Sequence, residues 1–351
     1  MTEAPPEHTA LRARVDGELT AFVDREITQL IALDEQLTPL AEELRKATAE
    51  GKRLRAAFCY WGWRAAGQPD STELVRAAAA MELVHAAAVV HDDIIDNSPV
   101  RRGAPTAHAA LQAALTGRTG RQAGGRALAM LAGDLLMSWA GQLFLSCGLP
   151  AAYLARARPM WATLARELVA GEALEILRTG SRPRTESSLQ VIRYKTAKYT
   201  VEHPLHIGGR LAGAGPALLA VFSDYGLPLG EAFQLRDDLL GVFGDPAATG
   251  KSNLDDLVGH KPTALLAETW PAATAAERRQ LRALLGRRAL DQDGLQQVRA
   301  IMRRTGAVGR VEELIAERAG AAIAAVARGG LPAPAERALT HLVDSAVTRT
   351  S

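Results

Sequence analysis

The sequence predicts an all-α protein. Ala and Leu dominate its 351 residues, aromatic residues make up only 5%, and alternating stretches rich in Thr, Val and Ile are hard to find. Ala and Leu favour helices, whereas alternating β-branched residues are typical of strands. No repeat of fixed period and no Pro/Ser-rich linker divides the chain, so residues 1–351 are expected to form a single-domain helical bundle.

Apolar residues at helical spacing mark the main elements in chain order. Residues 10–48 predict two helices separated at Pro39, because proline interrupts a helix interior. Residues 72–95 predict one long helix, residues 128–144 a buried helix, and residues 264–351 further helices without recognisable chemistry.

The longest uncharged run, residues 135–155, is long enough to cross a membrane. It contains Gly141, Gly148 and Pro150, and the last two indicate a loop between two helices. We therefore expect a buried core helix here and no transmembrane segment.

Charge and cysteine usage narrow the class of protein. The formal net charge is +2, which is too balanced to favour nucleic acid or an anionic membrane as a partner. Cys59 and Cys147 lie among apolar neighbours without metal-ligand spacing, as expected of reduced core residues in a cytoplasmic protein. The first residues lack the pattern of a signal peptide, and residues 1–10 are expected to form a frayed tail.

The most informative stretch runs from Glu82 to Thr106. An apolar helical pattern there ends in Asp92, Asp93 and Asp96. Asp92 and Asp96 are four residues apart, so on a helix they share a face and could hold one hard cation between them. The alternative for such a motif in isolation is a solvated helix end.

A second acidic pair, Asp237 and Asp238, follows about 140 residues later and also ends an apolar helix. If the two helices lie side by side in the bundle, the carboxylates face each other across one end of a central apolar cavity. An all-oxygen site of this kind suits magnesium, which binds through one or two carboxylates, waters and substrate phosphates. Basic residues would hold the phosphate oxygens directly: Lys52, Arg55, Arg101, Arg102, Lys195, Lys251 and Lys261.

A polar, metal-binding rim above an apolar shaft suits a substrate with a diphosphate head and a hydrocarbon tail. The sequence contains no nucleophile–base pair, zinc site or dinucleotide fingerprint.

From about residue 45 to about residue 265, the chain resembles the trans-type isoprenyl diphosphate synthases, also called the polyprenyl synthetase family. Several motifs in the family's order carry the resemblance: Gly51-Lys52-Arg53-Leu54-Arg55, His85, Asp92-Asp93-Ile94-Ile95-Asp96, Arg101-Arg102-Gly103, Lys195-Thr196, Gln234-Leu235-Arg236-Asp237-Asp238, Thr249-Gly250-Lys251 and Lys261.

The resemblance implies an isoprenoid synthase fold and a head-to-tail prenyltransferase. Asp92 and Asp96 would bind two magnesium ions, and Asp237, assisted through water by Asp238, would bind a third. The allylic diphosphate (dimethylallyl, geranyl or farnesyl) would be held by Arg101, Lys195, Gln234, Lys251 and Lys261. Isopentenyl diphosphate would be held by Lys52, Arg55, His85 and Arg102.

The same resemblance implies the course of the reaction. The allylic carbon–oxygen bond ionises, the double bond of isopentenyl diphosphate attacks the carbocation, and a proton is lost to pyrophosphate. Thr196 and the carbonyl of Lys195 would stabilise the cation. The family commonly forms homodimers, so a homodimer is expected.

In this family, bulky residues just before the first acidic motif form a floor that limits product length. Ala87 and Ala88 occupy those positions, roughly 6 to 8 Å below the metals, and Val84 lies one turn deeper. Two alanines do not block a chain, so geranylgeranyl diphosphate is expected, with a longer product (C25 or more) as the alternative. In an Ala-rich protein these alanines could also be simple helix formers.

Three positions depart from the family pattern. Gly241 replaces the usual third Asp of the second motif, and Asp245 is expected to compensate in part. His260 stands where glycine often precedes Lys261, which puts the Lys261 contact in doubt. Glu172 stands where the family often has Gln, with no assigned role.

Two rival functions remain. A class I terpene cyclase shares the fold and the first motif, but it has no use for a second diphosphate site. A non-catalytic partner subunit would be expected to lose carboxylates, yet both acidic pairs are present.

Overall fold

The computed structural model describes residues 6–117, 119–246, 252–287 and 290–347. Within these ranges the chain is helical apart from a single short β-hairpin and its loops. The all-α prediction is therefore confirmed. By its internal contacts the chain divides into two compact units, and the prediction of a single domain stays a prediction.

Unit 1 comprises Met1–Ala157 and Ile207–Gly213. In it α4 packs against α1, α3 and α6. Its elements are α1 (Pro6–Leu33), a 3₁₀ turn (Glu35–Leu37), α2 (Thr38–Ala49), α3 (Leu54–Ala65), α4 (Thr72–Ile95), β1 (Val100–Arg101), β2 (Ala104–Pro105), α5 (Ala107–Ala114) and α6 (Arg121–Leu145).

Local chemistry explains where the helices of unit 1 begin. Pro39 lies in the first turn of α2, where a missing backbone N–H costs nothing, so the predicted interruption is confirmed. Ser71 caps α4, because its hydroxyl accepts a hydrogen bond of 3.0 Å from the Leu74 N–H. The predicted helix over residues 72–95 is also confirmed.

Unit 2 comprises Arg158–His206 and Ala214–Ser351. In it α10 (Pro216–Phe243) packs against α15 (Ala307–Arg328) and a π-helical segment (Arg193–Glu202). The elements are α7 (Ala151–Arg178) and α9 (His203–Ala212), which belong partly to unit 1, together with α8 (Thr185–Ile192), the π segment (Arg193–Glu202), α10 (Pro216–Phe243), α11 (Asp255–Val258), α12 (Ala264–Ala272), α13 (Ala275–Leu284), α14 (Gln292–Arg304), α15 (Ala307–Arg328) and α16 (Ala333–Val347).

Two helices, Thr72–Ile95 and Arg121–Leu145, are long and apolar enough to cross a membrane. Buried core helices satisfy the same criterion, and the most apolar window of α4 is 72% buried. The corresponding window of α6 is only 44% buried, so the predicted buried helix over residues 128–144 leaves one face uncovered.

Candidate diphosphate and metal site

The first acidic motif lies at the carboxyl end of α4. Asp92 and Asp93 are in the last turn, and Asp96 caps the helix, with its N–H 2.8 Å from the carbonyl oxygen of Asp92. A helix carries partial negative charge at this end, so three carboxylates there are unfavourable without a counter-charge. The fold therefore concentrates negative charge at a point that requires a cation.

Arg101 supplies part of that charge. Its Nη2 lies 2.6 Å from Asp93 Oδ1 and 3.3 Å from Asp92 Oδ2, and its Nε donates to Asp93 Oδ1 at 2.8 Å. An Arg–carboxylate contact with two donors is strong and directional. Arg101, assigned to the substrate phosphate by resemblance, is thus anchored on the acidic motif.

A tight hairpin presents the two arginines. Arg101 pairs with Ala104, and the turn residues Arg102 and Gly103 both have positive φ (52° and 77°), as in a type I′ turn. The sequence analysis did not predict this hairpin. Arg102–Gly103 resembles the Asn–Gly of such turns only in its glycine.

Asp93 differs from its two neighbours. It is 4% exposed, and burial raises its pKa, while Arg101 acts in the opposite direction. Its contacts make it a positioning residue for Arg101. Sequence reasoning assigned it no role, because spacing distinguishes the faces of a helix but does not show which face is buried.

A second basic cluster surrounds His85 in unit 1. Burial lowers the pKa of His85 well below its ordinary value, and the nearby charges of Arg55, Arg102, Arg101 and Arg53 lower it further. His85 is therefore neutral at pH 7, within electrostatic range of Arg55 and Arg102, as the predicted isopentenyl diphosphate set requires. Lys52, the fourth member, has an exposed side chain on the loop before α3.

Arg53 belongs to the same basic run but has a structural role. It is 5% exposed with φ 52°, and it forms a 2.6 Å ion pair with Asp16. Its Nη2 donates to the Thr48 carbonyl at 2.7 Å, which satisfies a carbonyl at the end of α2. The sequence analysis left Arg53 out of the phosphate-binding set but gave no sign of this structural role.

The residues assigned to product length lie further back along α4. Ala87 has no exposed surface and Val84 is 2% exposed, whereas Ala88 is partly exposed. Ala88 is four residues before Asp92 and three after His85, so these three share one helix face. Of the two alanines, Ala88 is therefore the one on the metal-bearing face.

In unit 2, Lys195 and Thr196 lie on the π-helical segment. Such segments are rare and often occur at functional sites. The Thr196 hydroxyl donates to Gln234 Oε1 at 2.8 Å, and Gln234 Nε2 donates to Asp238 Oδ1 at 2.9 Å. This chain of hydrogen bonds joins three of the predicted site residues.

Asp237 and Asp238 have different environments. Asp237 is partly exposed, whereas Asp238 is 6% exposed. Burial raises the pKa of Asp238 to about 7, with the negative charges of Asp256 and Glu175 acting in the same direction. Asp237 is thus the accessible ligand, and Asp238 is the carboxylate that a nearby cation would ionise.

Asp256 takes the space left by Gly241. A Cβ on Gly241 would lie 2.7 Å from Asp256 Oδ2, so the absent side chain makes room for this carboxylate. Asp245, which the sequence suggested as compensation, is exposed on the loop after α10. The suggestion for Asp245 stays a prediction, and the contact of Asp256 with Gly241 had no periodicity in the sequence to reveal it.

Lys195 and Lys261 meet acids in unit 2. Lys195 Nζ lies 2.8 Å from Glu172 Oε2 and 3.0 Å from Glu175 Oε1. Lys261 Nζ lies 3.7 Å from Glu175 Oε1 and 3.9 Å from Asp256 Oδ1. The acids Glu175 and Asp256 were missed by sequence reasoning.

His260 does not displace Lys261 from this cluster. His260 adopts φ 48°, the left-handed conformation in which glycine is unstrained. The backbone thus keeps the path that glycine would give it. Lys251, the remaining predicted residue, lies outside the described residues.

The donors fit magnesium. They are carboxylate oxygens, the ligand type that hard cations prefer. Among the residues the structure describes, no three acid, His or Cys side chains converge on one point, which suits an ion that completes its shell with water and phosphate. In unit 1 Asp92 and Asp96 would hold such ions, and in unit 2 Asp237 would hold another.

The comparisons with known proteins agree with this chemistry. A family model described as polyprenyl synthetase matches residues 38–302, and the chain belongs to that family. A geranylgeranyl diphosphate synthase of Saccharolobus solfataricus is 31% identical over 73% of this chain and 74% of its own. An Escherichia coli octaprenyl diphosphate synthase is 32% identical over 66% of each chain.

A (2E,6E)-farnesyl diphosphate synthase of Mycobacterium tuberculosis is 34% identical over 64% of this chain, and the match spans only 57% of that relative. Among solved structures, a Corynebacterium glutamicum geranylgeranyl pyrophosphate synthase, complexed with isoprenyl diphosphate and magnesium, has a TM-score of 0.92. It is 34% identical, and the match covers 97% of this chain and 98% of that one. The relatives differ in product length.

The raised pKa of Asp238 predicts a pH-dependent stability. An ordinary aspartate has a pKa of 3.8, whereas the pKa of Asp238 in the folded protein is about 7. Between these values the folded state therefore holds a proton that the unfolded state releases. This group makes the free energy of unfolding fall as pH rises through the window, by about 1.4 kcal/mol per pH unit. Asp238→Asn does not titrate and should lose this contribution.

The measurement is urea unfolding of wild type and Asp238→Asn from pH 4 to pH 8 with a chelator present. The variant's stability relative to wild type should grow up to about pH 7 and then level off. If the free energy of unfolding of wild type and variant changed with pH in parallel, the raised pKa of buried Asp238 would be contradicted.

Proposed function

We propose that this chain is a magnesium-dependent prenyltransferase. It would join an allylic diphosphate head-to-tail with isopentenyl diphosphate and release pyrophosphate. The observation that carries the proposal is the basic cluster of Arg55, His85 and Arg102 in the unit that also bears the first acidic motif. An enzyme that uses one diphosphate has no need of this additional set.

Unit 1 would contribute both kinds of diphosphate contact. The carboxylates of Asp92 and Asp96 repel a bare phosphate, so they bind it through magnesium, while Arg101 reaches phosphate oxygens directly. Neutral His85 can donate one hydrogen bond to the second diphosphate beside the charges of Arg55, Arg102 and Lys52. The tight hairpin keeps the two arginines assigned to different substrates adjacent in space.

Unit 2 would contribute the groups that act on the leaving diphosphate. Lys195 and Lys261 supply positive charge, and Asp237 supplies the ligand for a third magnesium ion. Asp238 takes part through Gln234, which holds the Thr196 hydroxyl oriented. Magnesium, when bound, stabilises the negative charge that develops on the leaving group.

The reaction needs no protein nucleophile. As the allylic carbon–oxygen bond breaks, its electron pair stays with pyrophosphate, and Lys195 would stabilise that charge in unit 2. The Lys195 carbonyl and the Thr196 oxygen, both electron-rich, would stabilise the cation that remains. After the isopentenyl double bond attacks, pyrophosphate takes the proton that is lost.

Incubation with magnesium, isopentenyl diphosphate and each of three allylic diphosphates (dimethylallyl, geranyl and farnesyl) tests this function. We expect linear polyprenyl diphosphates whose formation requires both substrates and stops with a chelator. Cyclic hydrocarbon made from an allylic substrate alone would identify a terpene cyclase instead. Absence of turnover under all conditions would identify a non-catalytic subunit.

We further propose geranylgeranyl diphosphate as the main product, with a longer chain as the alternative. Support comes from the small, partly exposed Ala88 on the face that carries Asp92. Ala87 is fully buried, so a large residue there would disturb packing rather than meet the product.

Ala88→Phe should therefore shorten the product to about farnesyl length, because a phenyl ring one turn below Asp92 blocks the growing chain. Product analysis by chromatography checks this, with Ala300→Phe, at an exposed alanine of α14, as the matched control. Ala88→Val provides a milder variant with an intermediate shift. Unchanged product length in an active Ala88→Phe enzyme would contradict the assignment.

A homodimer in the cytoplasm completes the proposal. The uncovered face of α6 carries Met130 and Leu131, which are 51% and 53% exposed. A second copy of this chain would cover such a face isologously. The cytoplasmic location is supported by Cys59 and Cys147, both free and buried.

A further inference from the structure

Lys195 is held between two carboxylates from one helix. Its Nζ is 2.8 Å from Glu172 Oε2 and 3.0 Å from Glu175 Oε1, and all three side chains are between 16% and 21% exposed. Glu175 is shared with Lys261 at 3.7 Å, whereas Glu172 is the carboxylate closer to Lys195. The lysine assigned to the leaving diphosphate is thus already paired with two carboxylates of the protein.

The backbone fixes this arrangement. Gly171 of α7 packs directly on the π segment, since a Cβ there would overlap the backbone nitrogen of Lys195 and lie 2.7 Å from its Cα. Gly230 of α10 similarly leaves no room for a Cβ beside Ala197. This close packing brings Glu172, the neighbour of Gly171, within reach of Lys195.

Among the residues that the structure describes, the ion pairs of this cluster contain more carboxylates than ammonium groups. Glu172, Glu175 and Asp256 bring three carboxylates to the two ammonium groups of Lys195 and Lys261. A diphosphate that binds Lys195 must either displace Glu172 from the lysine or share the lysine with it. In both cases the negative charge of Glu172 repels the diphosphate at short range. Asp237 would hold magnesium in unit 2, and a metal bound there would not remove the competition between Glu172 and diphosphate for Lys195.

We propose that Glu172 determines how strongly unit 2 binds a diphosphate group. By competing for Lys195, Glu172 weakens the binding of the leaving pyrophosphate and so favours its release after each condensation. This inference rests on the proposed function, because it requires Lys195 to hold that diphosphate. An amide at the same position would leave Lys195 available.

Glu172→Gln tests the inference, because glutamine keeps the shape and the hydrogen-bond acceptor while it removes the charge. Calorimetric titration with inorganic pyrophosphate at a fixed magnesium concentration gives the dissociation constant without turnover. Removing one charge beside the ligand should tighten pyrophosphate binding about tenfold. The KM for the allylic diphosphate should also fall, because this substrate carries the same diphosphate group.

Glu167→Gln is the matched control. Glu167 lies on the same helix and contacts Lys198 at 3.0 Å and His203 at 3.2 Å. Glu167→Gln therefore makes the same substitution beside a lysine to which no diphosphate contact is assigned. Its pyrophosphate affinity should stay at the wild-type value. Glu172→Ala is a second test of the lost charge, and the thermal midpoint verifies that each variant is folded.

The outcomes separate the two proposals. Tighter binding by Glu172→Gln and Glu172→Ala, with Glu167→Gln unchanged, supports the role of Glu172. Equal or weaker binding in folded Glu172 variants overturns it, even if the wild type binds pyrophosphate and makes product. If wild type and variants all fail to bind pyrophosphate with magnesium, the proposed function fails as well.

Discussion

Mutual repulsion among the carboxylates at the end of α4 is the constraint on which the site depends. Asp92, Asp93 and Asp96 lie where the helix already carries partial negative charge. Arg101, on a tight hairpin, lies beside these carboxylates and pairs mainly with Asp93. Asp92 and Asp96 are the carboxylates that would hold magnesium.

Unit 2 meets the same constraint differently. Glu172, Glu175 and Asp256 are paired with lysines. Asp238 is instead buried, and burial raises its pKa to about 7. The hydrogen bonds from Thr196 to Gln234 and from Gln234 to Asp238 tie the π segment to α10. Glycines at the helix contacts make this possible, because only they let the wider π segment approach its neighbours.

Much of the fold and several site residues were predictable from sequence. Helical periodicity located α4 together with its acids, and motif order pointed to Lys195, Thr196 and Gln234. The hairpin was not predictable in the same way, because two paired residues per strand leave no alternation to recognise.

The different fates of neighbouring residues were also not predictable. Arg53 is a buried structural residue between two candidates for phosphate binding, and Asp93 is a buried anchor between two metal candidates. Ala87 and Ala88 differ in exposure although they are adjacent and identical. Burial depends on which helices pack together, and that information lies in contacts far apart in sequence.

The central claim is that the carboxylates at the end of α4 bind diphosphate through magnesium. Steady-state turnover of Asp92→Ala tests it most directly, with Asp224→Ala, an exposed aspartate in α10, as the control. We expect Asp92→Ala to lower turnover by orders of magnitude while its helix content, measured by circular dichroism, stays that of the wild type. Near-normal turnover in Asp92→Ala would contradict the claim.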